Sequence, residues 1–138
     1  MIAEESMSEI GIYEAMSTTR AVRRLREDPI PAAVLNRVLE AANWGPTGGN
    51  AQPWRVIVVK DAATKAALQA LYIGPWEAYA AGHRALIGGL EAEARQVQER
   101  MIAAADHLAH HLHRAPVILV FCFNPALMAI TDAKLGRP

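Results

Sequence analysis

The chain has 138 residues, 52% of them hydrophobic, which is material for one globular core and one domain. Its 14 Lys and Arg balance its 14 Asp and Glu, so no global field draws it to nucleic acid or to an anionic membrane, and any anion site must be local. A single cysteine, Cys122, excludes an internal disulfide, the apolar run Ala115 to Phe123 falls far short of the ~20 residues that span a bilayer, and no leader pattern opens the chain, so the expected compartment is the cytoplasm.

After a polar lead-in from Met1 to Glu9, Ile10, Tyr13 and Met16 recur at helical spacing and predict a first helix that ends near the Arg-rich run Thr18-Thr-Arg-Ala-Val-Arg-Arg-Leu-Arg26. Pro29 and Pro31 break the pattern, and Pro31 suits the first turn of a second helix, where its missing N–H costs nothing. Val34, Leu35, Val38, Leu39 and Ala42 form an apolar stripe on that helix, expected to face the core. Gly45 to Pro53 is a loop, because its glycines and prolines forbid both a regular helix and a regular ladder.

Trp54 to Lys60 is β-branched and nearly continuous in apolar character, the pattern of a strand covered on both faces. Asp61 is placed to cap a helix from Ala62 to about Tyr72, which Gly74-Pro75 should interrupt. The segment from Trp76 to about Arg114 then reads as helical, with weak points at Gly82 and at the Gly88-Gly89 pair. Pro116 to Phe123 predicts a second buried strand, with Cys122 as a small core residue. Asn124 to Pro138 shows no further element, and two strands rarely support an independent fold, so the domain is expected to be interrupted.

Three features could carry chemistry. At helical spacing Arg20, Arg23 and Arg24 would share a face able to hold a phosphate and a second anionic or carbonyl group, although the run alone reads more simply as a solvated basic face. The loop Gly45 to Pro53 combines glycines, which let backbone approach a ligand, with the side-chain partners Thr47, Asn50 and Gln52. It lacks the Lys and Ser/Thr of a P-loop, and on composition alone it could be a plain connection. His107, His110 and His111 would lie on one helical face, with His113 beyond them. Zinc sites usually add a carboxylate or thiolate that these positions do not offer, so a solvated, titratable face is expected and no metal.

Taken in order, Arg20-Ala-Val-Arg23, then Pro46-Thr-Gly-Gly-Asn50-Ala-Gln52-Pro53-Trp54, then Arg55-Val-Ile-Val-Val59 resemble the N-terminal portion of the FMN-dependent nitroreductase family. There an Arg-rich motif, a helix, a Pro-Ser-Gly-x-Asn-x-Gln-Pro-Trp loop and a buried strand follow one another. The resemblance implies an α+β fold with a mixed sheet flanked by helices, residues 1–138 being the N-terminal part of a single domain whose later strands and further flavin contacts lie beyond Pro138.

The resemblance also implies a site. FMN would sit at a homodimer interface, with Arg20 on the phosphate or ribityl chain, Ala21 beside it and Arg23 near the pyrimidine edge of the ring. From the partner chain, Pro46, Thr47 and Asn50 would contact the ring, in a loop that also holds Gly48 and Gln52. A guanidinium near the pyrimidine edge favours the reduced anion, with ~4 kcal/mol of Coulomb energy at 4 Å and an effective dielectric of 20. Ala21 stands where relatives often have Ser, Thr19 where many have Arg, and Gly45 and Thr47 where Ala and Ser are usual. The implied activity is a ping-pong one: NAD(P)H reduces FMN, which then passes electrons to a nitroaromatic, quinone or similar small acceptor. The flavin carries this chemistry, so no catalytic side chain is required. The rivals are a flavin-binding or interaction module without turnover, and a dehalogenase or flavin-modifying member of the family.

Overall fold

A computed structural model describes residues 10–127. The short first helix, α1 (Ile12–Thr18), stops where hydroxyl side chains turn back onto its last carbonyls. Ser17 Oγ and Thr18 Oγ1 donate to the Glu14 carbonyl at 3.1 and 2.6 Å, and Thr19 leaves the helix with φ −56° and ψ 129°. The Arg-rich run that follows is coil, so the expected helical face shared by Arg20, Arg23 and Arg24 does not form. Ile12, Tyr13 and Met16 remain exposed.

The second helix, α2 (Ala32–Asn43), begins directly after Pro31. Of its expected apolar stripe, Leu35 is buried and Val34 and Leu39 are half-buried, whereas Val38 and Ala42 face solvent. The strand β1 (Trp54–Val59) pairs antiparallel with β2 (Ile118–Phe123), in a register that sets Trp54 opposite Phe123 and Val59 opposite Ile118. Between them run α3 (Ala62–Ile87) and α4 (Ala92–His111), which pack on each other and on a 3₁₀ turn, Leu112–Arg114. The architecture is α+β, as expected, and the sheet among the described residues has these two strands.

Coverage of the sheet on both faces is not observed. Val59 is buried, but Ile57, Phe121 and Phe123 are 54%, 60% and 65% exposed, and Cys122 is an exposed thiol, not a core residue. The apolar pattern reports what these side chains prefer, whereas burial needs a covering element, and the helical hairpin packs mainly on itself. The core accordingly sits between α3, α4 and the inner ends of the strands, at Val59, Ala80, Ile87, Ile102, Ala109 and Ala115.

Asp61 caps α3 as expected, its Oδ2 accepting from the Thr64 backbone N–H and hydroxyl at 2.7 Å each. At Gly88-Gly89, expected only as a weak point within one helical segment, that helix ends outright, whereas Gly74-Pro75 does not interrupt it and Gly82 lies within it. The reason is a set of tertiary ties on both sides of the proline. Upstream, the buried Lys65 donates to the Ala115 carbonyl at 2.6 Å and Gln69 to the His110 carbonyl at 2.8 Å. Downstream, Trp76 Nε1 donates to Asp106 at 2.8 Å and Arg84 pairs with the same carboxylate. These bonds hold both halves of α3 against α4 and outweigh the local cost of the break.

Gly82 is exposed inside α3, and beyond its chain neighbours and the helix's own backbone nothing lies within 4 Å of where its Cβ would be, so Gly82→Ala should raise unfolding stability by about 1 kcal/mol through helix propensity. Urea titration checks this, and a destabilised variant would show that the helix is not regular at this point in solution. Among the described residues, no helix is long and apolar enough to cross a membrane.

Candidate functional site

The loop between α2 and β1 is built from backbone strain and a chain of side-chain bonds. Gly48–Asn50 makes one 3₁₀ turn, and Gly49, Asn50 and Gln52 all have positive φ, at 59°, 51° and 47°. Only the first is a glycine; asparagine tolerates this region, whereas Gln52 bears a local cost of roughly 1 kcal/mol or more, the kind of strain that functional loops retain. Thr47 helps to stabilise the turn: its carbonyl accepts from Asn50 N–H at 2.9 Å and its hydroxyl from Gln52 N–H at 3.0 Å. Gln52 then bridges outward, donating to Asn50 Oδ1 and accepting from the Trp54 indole, both at 3.0 Å.

Asn50 and Gln52 line a cleft of about 520 Å³ together with Asn43, Trp54, Arg55 and Val56. This size is within the range of cofactor pockets. Because Asn50 Oδ1 is engaged by Gln52, its amide NH₂ is left for a ligand, and the space around Gly48 and Gly49 admits close approach to the backbone. Asn43, Trp54, Arg55 and Val56 were not among the residues expected to form the site. Trp54 and Val56 lie two apart on β1, and that period-2 spacing directly after the loop was the usable signal; Asn43, at the end of α2, left none.

The arginines lie elsewhere. Arg20 is exposed and donates to the carbonyls of Ser17 and Thr19 at 2.8 Å, and Arg23 is half-buried and donates to the Ala21 carbonyl at 3.3 Å. Neither has a carboxylate partner among the described residues, whereas Arg26 pairs with Asp28 at 2.9 Å and Arg114 with Glu27 at 3.5 Å. The charges of Arg20 and Arg23 are therefore available to an anionic ligand. Arg23 lines a recess of about 70 Å³ with His107, His111 and Arg114, which shares no lining residue with the Asn50 cleft. Within one chain, the two expected halves of the site thus open into separate cavities.

The three histidines of α4 do not make one solvated face: His107 and His111 are half-buried and His110 is exposed beside α3. His107 and His111 stack with ring centroids 4.3 Å apart, and His110 lies 3.9 Å from Glu77. No group of three or more His, Cys, Asp or Glu side chains suited to a metal occurs among the described residues. Partial burial, followed by the charges of Arg24, His111 and Arg114, holds the His107 pKa below the ordinary imidazole value.

A guanidinium pair without carboxylate partners, a polar loop with an open backbone and a cleft of adequate volume fit the anionic tail and flat polar ring of a flavin. Comparison with known proteins gives the same direction. An NADH dehydrogenase of Thermus thermophilus is 41% identical over 71 residues, 51% of this chain and 35% of its own length. A 5,6-dimethylbenzimidazole synthase of Rhodospirillum rubrum is 36% identical over 113 residues, 81% of this chain and 47% of its own. Iodotyrosine deiodinase 1 of Rattus norvegicus is 36% identical over 58 residues, 42% of this chain and 20% of its own. The chain thus spans less than half the length of each of these relatives. The profile of the Nitroreductase family matches residues 16–137, which take in the Arg-rich segment, the strained loop, both strands and the helical hairpin, and the chain belongs to that family of flavin-dependent oxidoreductases.

Proposed function

We propose that this chain forms the N-terminal, flavin-holding part of an FMN-dependent oxidoreductase that takes electrons from NAD(P)H and passes them to a nitroaromatic, quinone or similar small acceptor in two half-reactions. The observation that carries the reading is the strained loop Thr47 to Gln52, braced by its own side chains at the positions where the family resemblance is densest. Bound FMN supplies hydride acceptance and electron delivery; the protein binds, orients and sets the local field.

In this reading Arg20 neutralises the phosphate or ribityl end, with Ala21 packed beside it, and Arg23 stands near the pyrimidine edge. Pro46, Thr47, Gly48, Asn50 and Gln52 face the ring from a second copy of the chain. Support for a shared site comes from the separate cavities that Arg23 and Asn50 line within one chain, which a homodimer could bring together across its interface. Thr47 and Gln52 spend their bonding on the loop and so act by holding Asn50 in place.

The test is NAD(P)H oxidation by purified, FMN-loaded protein with a quinone or nitroaromatic acceptor. Acceptor-dependent turnover supports the reading; tight FMN binding with no nicotinamide oxidation would leave a binding module instead. A second reading within the family has its own support, since the 5,6-dimethylbenzimidazole synthase aligns over 81% of this chain and deiodinases also match. Formation of 5,6-dimethylbenzimidazole, or release of iodide from iodotyrosine, in the same assay mixture would favour it.

A further inference from the structure

The segment from Thr19 to Pro31 carries Arg20 and Arg23 but has no helix or ladder to hold it. Two polar contacts tie it to the far end of the helical hairpin, both long in sequence. Arg24 Nη1 lies 3.1 Å from His107 Nδ1, and the Glu27 carboxylate lies 3.5 Å from the Arg114 guanidinium. Arg23 and Leu25 line the same recess as His107, His111 and Arg114.

A guanidinium can only donate, so His107 Nδ1 must accept, which fixes the neutral tautomer with its hydrogen on Nε2. His111 has the opposite arrangement, its Nδ1 donating to the His107 carbonyl at 2.7 Å. A proton on His107 Nδ1 would replace the lone pair with an N–H pointed at a cation, and the contact would be lost. The surroundings are cationic: Arg23 and Arg24 on the coil, Arg114 on the turn, and Lys65 of α3, whose ammonium lies on the Ala115 carbonyl at 2.6 Å. His110 faces away, bonded to the Asp106 carbonyl and near Glu77 of α3, and Glu27 is already paired with Arg114.

We propose that His107 is a positioning residue for the flavin-binding segment: its Nδ1 lone pair holds Arg24, and through it Arg20 and Arg23, where the cofactor needs them. The role rests on the flavin reading above. The sign follows from which form is competent. Neutral His107 makes the contact, so flavin affinity is full at neutral pH and falls as acid protonates the ring, in a window displaced below the ordinary imidazole value because its pKa is lowered.

The experiment is FMN titration of the full chain from neutral to mildly acid pH, with His107→Gln, His107→Leu and Arg24→Ala beside the wild type. Wild-type affinity should fall about threefold to tenfold across the acid limb. His107→Gln keeps an acceptor that cannot titrate, so it should hold neutral-pH affinity and retain only the shallower acid loss that comes from protonation of the FMN phosphate itself, whose second pKa is about 6. His107→Leu and Arg24→Ala should bind more weakly throughout. NMR titration of the His107 ring in flavin-free protein gives an independent readout, with Arg24→Ala expected to raise its pKa. If the wild type binds FMN but His107→Gln shows an acid loss as steep as the wild type's, or if Arg24→Ala leaves the ring titration unmoved, the positioning role is wrong and the flavin reading stands. If the wild type binds no FMN at any pH, the flavin reading fails and takes this role with it.

Discussion

Arg20→Ala should weaken FMN binding by about tenfold to hundredfold, the loss of one charge-assisted hydrogen bond. The structure explains why this arginine should matter more than Arg26. Its guanidinium rests only on the Ser17 and Thr19 carbonyls, whereas Arg26 is neutralised by Asp28. A phosphate would therefore meet an uncompensated cation at position 20. The measurement is flavin fluorescence quenching on titration, with Arg26→Ala as the comparison, expected to change affinity little. Equal affinities for wild type and Arg20→Ala would remove Arg20 from the site.

Asp106→Ala should cost about 2 kcal/mol of folding stability, a large effect for a polar residue of the helical hairpin. One carboxylate receives both the Trp76 indole, at 2.8 Å and part-buried, and the Arg84 guanidinium. Removing it strands the indole N–H and releases the splint that carries α3 past Pro75. The ion pair itself adds little, because the Arg84 side chain is half exposed and its charge is screened. Asp106→Asn, which keeps an acceptor for Trp76, should therefore retain more than half of the lost stability. Denaturant unfolding of the two variants tests this, and equal losses would assign the effect to charge. Burial pushes the Asp106 pKa up, but the bonds from Trp76 and Arg84, with the charges of Arg84 and His110, leave it lowered overall. Its contribution is thus present above the usual carboxylate range and disappears as pH falls through the lowered value.

These two sites also show what could be read from the chain and what could not. The cap at Asp61 and the weakness at Gly88-Gly89 were legible because their causes are local: a side-chain oxygen within reach of the next turn, and two residues without a β-carbon. The passage of α3 through Pro75 was not, since the bond that stabilises it comes from Asp106 on another helix. The arginine face was misjudged because spacing alone does not reveal that Ser17, Thr18 and Thr19 turn their hydroxyls back and end the helix first. Strand positions were visible in β-branched composition, but their cover was not, because the neighbours of a strand are set by distant segments. In the loop, glycine and asparagine announced a turn, whereas a left-handed Gln52 has no signature in composition and emerges only from its bond to Thr47.

The separation of the Arg23 recess from the Asn50 cleft has a genetic consequence if FMN is shared between subunits. An Arg20→Ala chain and an Asn50→Ala chain would each be defective alone, because every self-paired molecule repeats the same lesion at both of its sites. Mixed together, they would form hybrids in which one site draws both its arginine and its asparagine from undamaged partners, while the other site collects both defects. Two inactive alleles expressed in one cell would then complement each other, whereas a site confined to a single chain would leave the mixture as inactive as its parts.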